Sequence, residues 1–139
     1  MSPQEGLAKN RVILLLLVAT ASAAVIAWFA LKYVNDQPLA FERSRWLQAR
    51  EKEDSRVLTR MAKDLIARKA LIGQSRSQLI ELLGDPEKYS DATDSQLFYL
   101  ISEKWNGVDP VRRDHLLISL DENGRAIDAR IDVFKKNQR

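Results

Sequence analysis

The sequence contains no cysteine, which excludes disulfides, thiolate metal sites, a cysteine nucleophile and a lipid chain attached through cysteine. Histidine is almost as scarce: His115 stands alone, so imidazole chemistry has one candidate in the whole chain. Internal repeats and low-complexity tracts are absent as well. Charge of one sign is not in excess either. Of the 22 Lys and Arg, Lys9, Arg11 and Lys32 precede Asn35, and of the 19 Asp and Glu only Glu5 does. The remainder therefore carries 19 basic against 18 acidic residues. A nucleic-acid partner is not expected from that balance, because such binders draw most of their affinity from a basic surface that neutralises phosphates.

What the sequence does have is one long apolar run. Residues 12–34, VILLLLVATASAAVIAWFALKYV, hold a single charge, Lys32. As a helix rising about 1.5 Å per residue the run spans roughly 34 Å, enough to cross a hydrocarbon core of about 30 Å. Trp28, Phe29, Lys32 and Tyr33 gather at one end, where amphipathic rings and a snorkelling amine mark a water interface. A transmembrane helix over residues 12–34 in contact with the lipid bilayer is the first reading, with residues 1–11 as an N-terminal tail. A cleaved signal peptide is the second, since Lys9 and Arg11 precede the run and Ala21-Ser22-Ala23 offers a small-residue cleavage site. The apolar stretch that continues beyond the triplet favours an anchor. Orientation is balanced: Lys32, Arg43, Arg45, Arg50 and Lys52 outnumber the flank at the other end, while Lys9 and Arg11 lie directly against the apolar core.

With 139 residues and the run removed, the chain has room for one domain. Residues 35–54 open with the turn-prone Asn35-Asp36-Gln37-Pro38 and continue with dense mixed charge around Phe41, Trp46 and Leu47, which reads as a charged linker or a partly exposed juxtamembrane helix. Residues 55–139 read as a small α+β domain. Val57, Leu58, Met61, Leu65 and Ile66 recur at helical spacing over residues 55–69. A second helix follows Gly73-Gln74: Ser75 and Gln78 have capping-box spacing, Leu79, Ile80, Leu82 and Leu83 form its apolar stripe, and Gly84 with Pro86 stops it. Three strands are expected at residues 96–101, 115–120 and 125–134, the last two joined by the turn Asp121-Glu122-Asn123-Gly124. In the last strand Ile127, Ala129, Ile131 and Val133 alternate with charged residues, the pattern of a sheet with one wet face. The expected fold class is thus α+β, an N-terminal transmembrane helix followed by two helices and a three-stranded antiparallel meander, α-α-β-β-β.

These elements, with LIGQSRSQLIELLGDPEKYS, the strand LFYLI and the hairpin LLISLDENGRAIDARI, resemble the SmpA/OmlA (BamE-like) domain family of bacterial envelope proteins. The matching positions are Gly73, Ser75, Leu83, Gly84, Pro86, Tyr99, Leu120, Gly124 and Ile127, within a region of roughly residues 65–133. Most members of that family are lipoproteins that act as non-enzymatic interaction modules, the best known helping to assemble β-barrel proteins into the outer membrane. This sequence departs from them in having an apolar helix where they have a lipidated cysteine. The resemblance therefore implies an assembly or scaffolding factor, or an accessory subunit, held in the bacterial inner membrane with its domain outside the cytoplasm. It carries over no catalytic residue, cofactor or metal site.

Among the residues themselves, three invite a functional reading. Residues 102–114 look like a long connection between strands, and Trp105, Arg112 and Arg113 in it are of the types most often found as interface anchors, so they are the candidate partner-binding residues. The competing reading folds Trp105 back over the core and pairs the arginines with Asp109 and Asp114. Arg112, Arg113 and the tail from Lys135 to Arg139 also suit anionic lipid headgroups, which makes a membrane-tethered lipid-binding sensor an alternative. His115 beside Asp114 suggests a base oriented by a carboxylate, hence a small hydrolase, but it lacks a serine partner at a recognisable elbow and is expected on the wet face or closing the loop. Asp85, Glu87, Asp91 and Asp94 lack the spacing of a calcium loop and read as a solvated turn.

Overall fold

The computed structural model describes residues 3–89 and 93–136. The chain forms two units, Met1–Gln37 and Pro38–Arg139. The first is a single helix, α1 (Pro3–Asp36), which takes in most of the expected N-terminal tail as well as the apolar run. Its most apolar window has a mean hydropathy of 2.6, and the helix is long and apolar enough to cross a membrane, a test that signal sequences also pass. Its internal hydroxyls bond back to the helix: Thr20 Oγ1 donates to the Leu17 carbonyl (2.9 Å) and Ser22 Oγ to that of Val18 (2.8 Å). At the far end the Lys32 ammonium lies 5.4 Å from the centre of the Trp28 ring.

The second unit is α+β: three helices, α2 (Arg43–Glu51), α3 (Ser55–Ala67) and α4 (Arg76–Leu83), and an antiparallel sheet of β1 (Gln96–Asn106), β2 (Asp109–Leu120) and β3 (Ala126–Lys135) in the order β1-β2-β3. Helix α3 is the amphipathic one, burying Leu58, Met61, Ala62 and Leu65 along one face. Asp54 caps its start by accepting the Val57 N–H (3.2 Å). Both α2 and α3 end in paired 6→1 and 5→2 bonds, Asp54 to Ala49 with Glu53 to Arg50, and Ala70 to Leu65 with Lys69 to Ile66. The left-handed residues there are Glu53 (φ 54°) and Lys69 (φ 51°), where glycine is usual. Helix α4 opens with the full capping box, Ser75 and Gln78 bonding reciprocally. Its first turn is tied to the β2–β3 hairpin: Gly73 and Ala126 exchange backbone bonds through Gln74 (2.8 and 2.9 Å), and Arg76 N–H donates to the Gly124 carbonyl.

Helix α2 is the main departure from expectation. The charged stretch around Trp46 is a helix, one of the two forms expected, but it belongs to the core of the second unit: Trp46 is fully buried and Ala49 nearly so. Dense charge disguised a three- and four-residue spacing, Trp46, Ala49 and Arg50, that turns to the core. Segment 39–42 is pinned to α3 as well, since the Leu39 N–H bonds to the Arg60 carbonyl (3.1 Å) and that of Phe41 to the Asp64 carboxylate (2.9 Å). The Arg68 guanidinium, and after it the Phe41 amide, hold the Asp64 carboxyl below the usual carboxylate range.

Three side chains lock the end of α4. The Trp46 indole donates to the Leu83 carbonyl (3.0 Å); Arg50 donates to the same carbonyl (3.0 Å) and to that of Asp85 (2.8 Å); and the Tyr99 hydroxyl donates to the Gly84 carbonyl (3.0 Å). These carbonyls would otherwise be orphans of a helix C-terminus. Gly84 has φ +85° and ψ −173°, a conformation open in practice to glycine alone, and an added Cβ would stand 2.9 Å from Arg50 Nη1 and 3.1 Å from Leu47 Cδ2.

The sheet also corrects two details. The expected connection over residues 102–114 is instead a continuous ribbon, β1 running to Asn106 and β2 starting at Asp109 around a two-residue turn, Gly107-Val108, with Gly107 at φ +67°. In β3 the dry face is Ala129 and Ile131, but Ile127 is 60% exposed and Val133 also points to solvent, while Ala126 is buried in their place. For Ile127 the cause is a register shift at Ser119/Leu120, which pairs Leu120 with Ala126 and leaves Ile127 as the extra residue, whereas Val133 pairs with Asp114 beyond the core.

Two substitutions test the lock. Trp46→Ala should lower stability by about 3–5 kcal/mol, through the cavity and the loss of one of the two donors to the Leu83 carbonyl. Gly84→Ala should cost about 1–3 kcal/mol through backbone strain and the clash with Arg50. Urea unfolding of the full chain in non-ionic detergent reads both, and a wild-type midpoint for either variant contradicts the arrangement.

Candidate interaction surface

The three residues singled out as partner-binding lie on the two-stranded ribbon and do not form one patch. Trp105, 58% exposed, donates from its indole to one oxygen of the Glu103 carboxylate (3.1 Å), and Arg113 donates to the other (2.6 Å). Glu103 and Arg113 face each other across the strands. Arg112 is separate: adjacent to Arg113 in the strand, its side chain leaves the opposite face and makes a two-pronged pair with Asp114 (2.7 and 2.9 Å). Trp105 is thus displayed on the ribbon, whereas both arginines are engaged by carboxylates. Val108, at the turn, is almost wholly exposed.

Beside Trp105 opens a cleft of about 590 Å³. One wall is the outer half of β1, residues Leu100 to Glu103; the other comes from the end of α2 and the start of α3, with Glu51, Glu53, Ser55 and Leu58. Arg50 and Glu87 form its floor, paired at 3.1 Å. Four of its lining residues are glutamates and one is arginine, so the cleft is acidic on balance. Sequence reasoning missed Arg50, Glu51 and Glu53 because they belong to the segment taken as a linker. The signal was the spacing from Trp46 to Arg50, which puts both on one helix face.

His115 lies neither on a wet face nor in a loop. It sits mid-strand on β2, only 5% exposed, with its Nε2 bonded to the Tyr89 hydroxyl (2.7 Å) and its ring edge-on to Tyr89 and Phe98. Asp114, its imagined partner, bonds instead to Arg112. The outer sheet face here is a shallower cleft of about 440 Å³, lined among others by Phe98, Leu117, Arg130 and Phe134. The sheet's second face is therefore half covered rather than simply wet. Burial, and secondarily the Arg113 charge, push the His115 imidazole below its ordinary value, against the opposing pull of Asp132, Glu87 and Asp114. Burial likewise raises the Tyr89 phenol.

Of the expected acidic turn, Asp91 lies outside the described residues, and Glu87 is committed to Arg50. Among the described residues no group of three or more His, Asp or Glu could hold a metal ion. In the basic tail, Lys136 pairs with Asp109 at 3.2 Å, and residues 137–139 lie outside the description. Compared with family models, curated proteins and solved structures, the chain matches none. The SmpA/OmlA resemblance thus rests on its motif positions.

The histidine supplies a pH prediction. A folded-state value below the unfolded one, about 6.5, means that the unfolded chain binds the extra proton first. Stability is then full above that value and declines as pH falls toward the folded-state value. His115→Gln, which keeps a partner for Tyr89, should flatten this part of the pH profile of the urea midpoint between mildly alkaline and mildly acidic buffer. Parallel profiles for the two proteins would show that the imidazole is not held neutral.

Proposed function

We propose that this chain is a single-pass, membrane-anchored and non-enzymatic protein-interaction module, an assembly or scaffolding factor or accessory subunit of a bacterial membrane complex. Its α+β unit is a SmpA/OmlA-like domain. It faces out of the cytoplasm from the inner membrane, with Lys9 and Arg11 on the cytoplasmic flank of α1. The observation that carries this reading is the pairing of an unburied apolar helix with a compact unit that displays Trp105 at the mouth of an acidic cleft. An exposed tryptophan held in place by hydrogen bonding has little freedom left to lose on docking, a property of interface anchors. The engagement of both ribbon arginines and of Lys136 by carboxylates favours a protein partner over anionic headgroups.

Membrane fractionation separates an anchor from a signal peptide: the full-length chain should remain with the membrane through high salt and alkaline carbonate, and protease should remove the domain in intact spheroplasts. Carbonate release, or digestion only after lysis, overturns the placement. Crosslinking in intact cells should trap a membrane or envelope protein, and Trp105→Ala should weaken its recovery by about 2 kcal/mol equivalent without moving the urea midpoint. Undiminished recovery would remove Trp105 from the interface.

A further inference from the structure

The sheet ends at β1, and only part of that edge is closed. The Glu87 N–H bonds to the Phe98 carbonyl (2.7 Å), so the backbone groups of Phe98 point away from β2. A strand repeats every two residues, and an antiparallel residue turns its N–H and C=O to the same side, so those of Leu100 point outward too. Past Glu87 the covering segment leaves the strand. Among the described residues no backbone group outside the sheet bonds to any residue from Leu100 to Asn106. That open stretch forms one wall of the acidic cleft.

We infer that this edge of β1, from Leu100 to Lys104, binds an extended, lysine- or arginine-bearing segment of a partner protein as an added strand. The inference rests on the interaction-module reading above and specifies its chemistry. Backbone pairing to Leu100 supplies the affinity common to strand addition, and side chains of alternate residues meet different walls. One set faces Leu100 and the Trp105 ring on the β1 side, which suits apolar or aromatic groups. The other set faces Glu51 and Glu53, which make no ion pair among the described residues, whereas Glu87 and Glu103 are neutralised by Arg50 and Arg113. The uncompensated charge is therefore negative, and a basic segment complements it. Exposure of both glutamates makes the attraction salt-sensitive. A register shift between Leu100 and Ser102, with Ile101 as the extra residue, interrupts this stretch and a second at Lys104/Trp105 ends it, which blocks indiscriminate pairing along the ribbon.

The test uses the full chain in non-ionic detergent and a short acetylated peptide alternating lysine and valine. The expected result is saturable binding that slows amide exchange at Leu100 and weakens with salt. Glu51→Lys with Glu53→Lys, both on the surface, should weaken it at least about tenfold, and so should N-methylation of alternate peptide amides, which leaves every side chain in place. Leu100→Pro, which removes the outward N–H, provides a second reading on the protein side, valid when its urea midpoint stays near wild type. Absence of saturable binding overturns the inference, as does equal affinity for the methylated peptide, which would mean a side-chain groove without strand pairing. Concentration-dependent protection of Leu100 without peptide overturns it in favour of a second copy of the chain at the edge. None of these failures touches the anchored-module reading, which stands or falls on fractionation and crosslinking at Trp105.

Discussion

The fold depends on how the carbonyls at the end of α4 are satisfied. Leu83, Gly84 and Asp85 leave a helix with no further turn to bond to, and burying them unpaired would be costly. Trp46, Arg50 and Tyr99 each reach one or more of them, and each comes from a different part of the chain than α4 itself. The arrangement thereby joins α2, α4 and β1 at one point. Arg50 also lies over the Tyr99 ring, 5.1 Å from its centre. Burial pushes the Tyr99 phenol up to about 12, with the Arg50 charge pulling the other way, so the hydroxyl stays a donor across the physiological range. Gly84 is what lets the guanidinium in, since a side chain there would occupy its space.

The acidic cleft is a by-product of the same lock. Arg50 donates from Nη1 to the Leu83 carbonyl and from Nη2 to both the Asp85 carbonyl and the Glu87 carboxylate, and the Glu87 N–H in turn closes β1 at Phe98. The covering segment is fixed there and advances no further along the strand. The end of α2 closes with Glu53 in a left-handed conformation, which sets the opposite wall a cleft's width away from Leu100. The open edge and its acidic lining are thus both positioned by residues whose first role is structural.

Much of this was legible in the sequence. The boundaries of α3 and α4, the capping box at Ser75 and the stop at Gly84 followed from local chemistry that the tertiary structure did not override. The central residues of β1 and β2 followed from their branched and aromatic runs. What escaped has physical reasons. Helix α2 has six polar or charged residues around Trp46, Leu47 and Ala49, so its apolar face is too narrow to register as periodicity. The ribbon beyond the core has no dry face at all, and its charged residues resemble a loop although Asn106-Gly107 is a hairpin signal. Ile127 was misplaced because a bulge adds one residue, and strand alternation has no means of showing where. Of the three candidate site residues, Trp105 is exposed, but no single-residue reading shows that Arg112 and Arg113 leave opposite faces once the loop becomes a strand.

That ribbon raises a question of energetics. Its ordering is not supported by burial, since Lys104, Trp105, Asn106, Val108 and Asp109 are all exposed. The pairs Arg112–Asp114 and Arg113–Glu103 are partly exposed and screened by solvent, so they add little. Fixing each backbone residue costs roughly 1–2 kcal/mol, so the ladder of β1 and β2 beyond the core is only weakly favoured. A segment so close to balance gains from any added strand or packed ring that shares its ordering cost. The protein's most loosely held secondary structure therefore lies where its tryptophan is displayed and its sheet edge is open, while the tightly packed lock at Leu83 lies behind it. Division of that kind lets the ribbon change conformation or sequence without loosening the core that positions it.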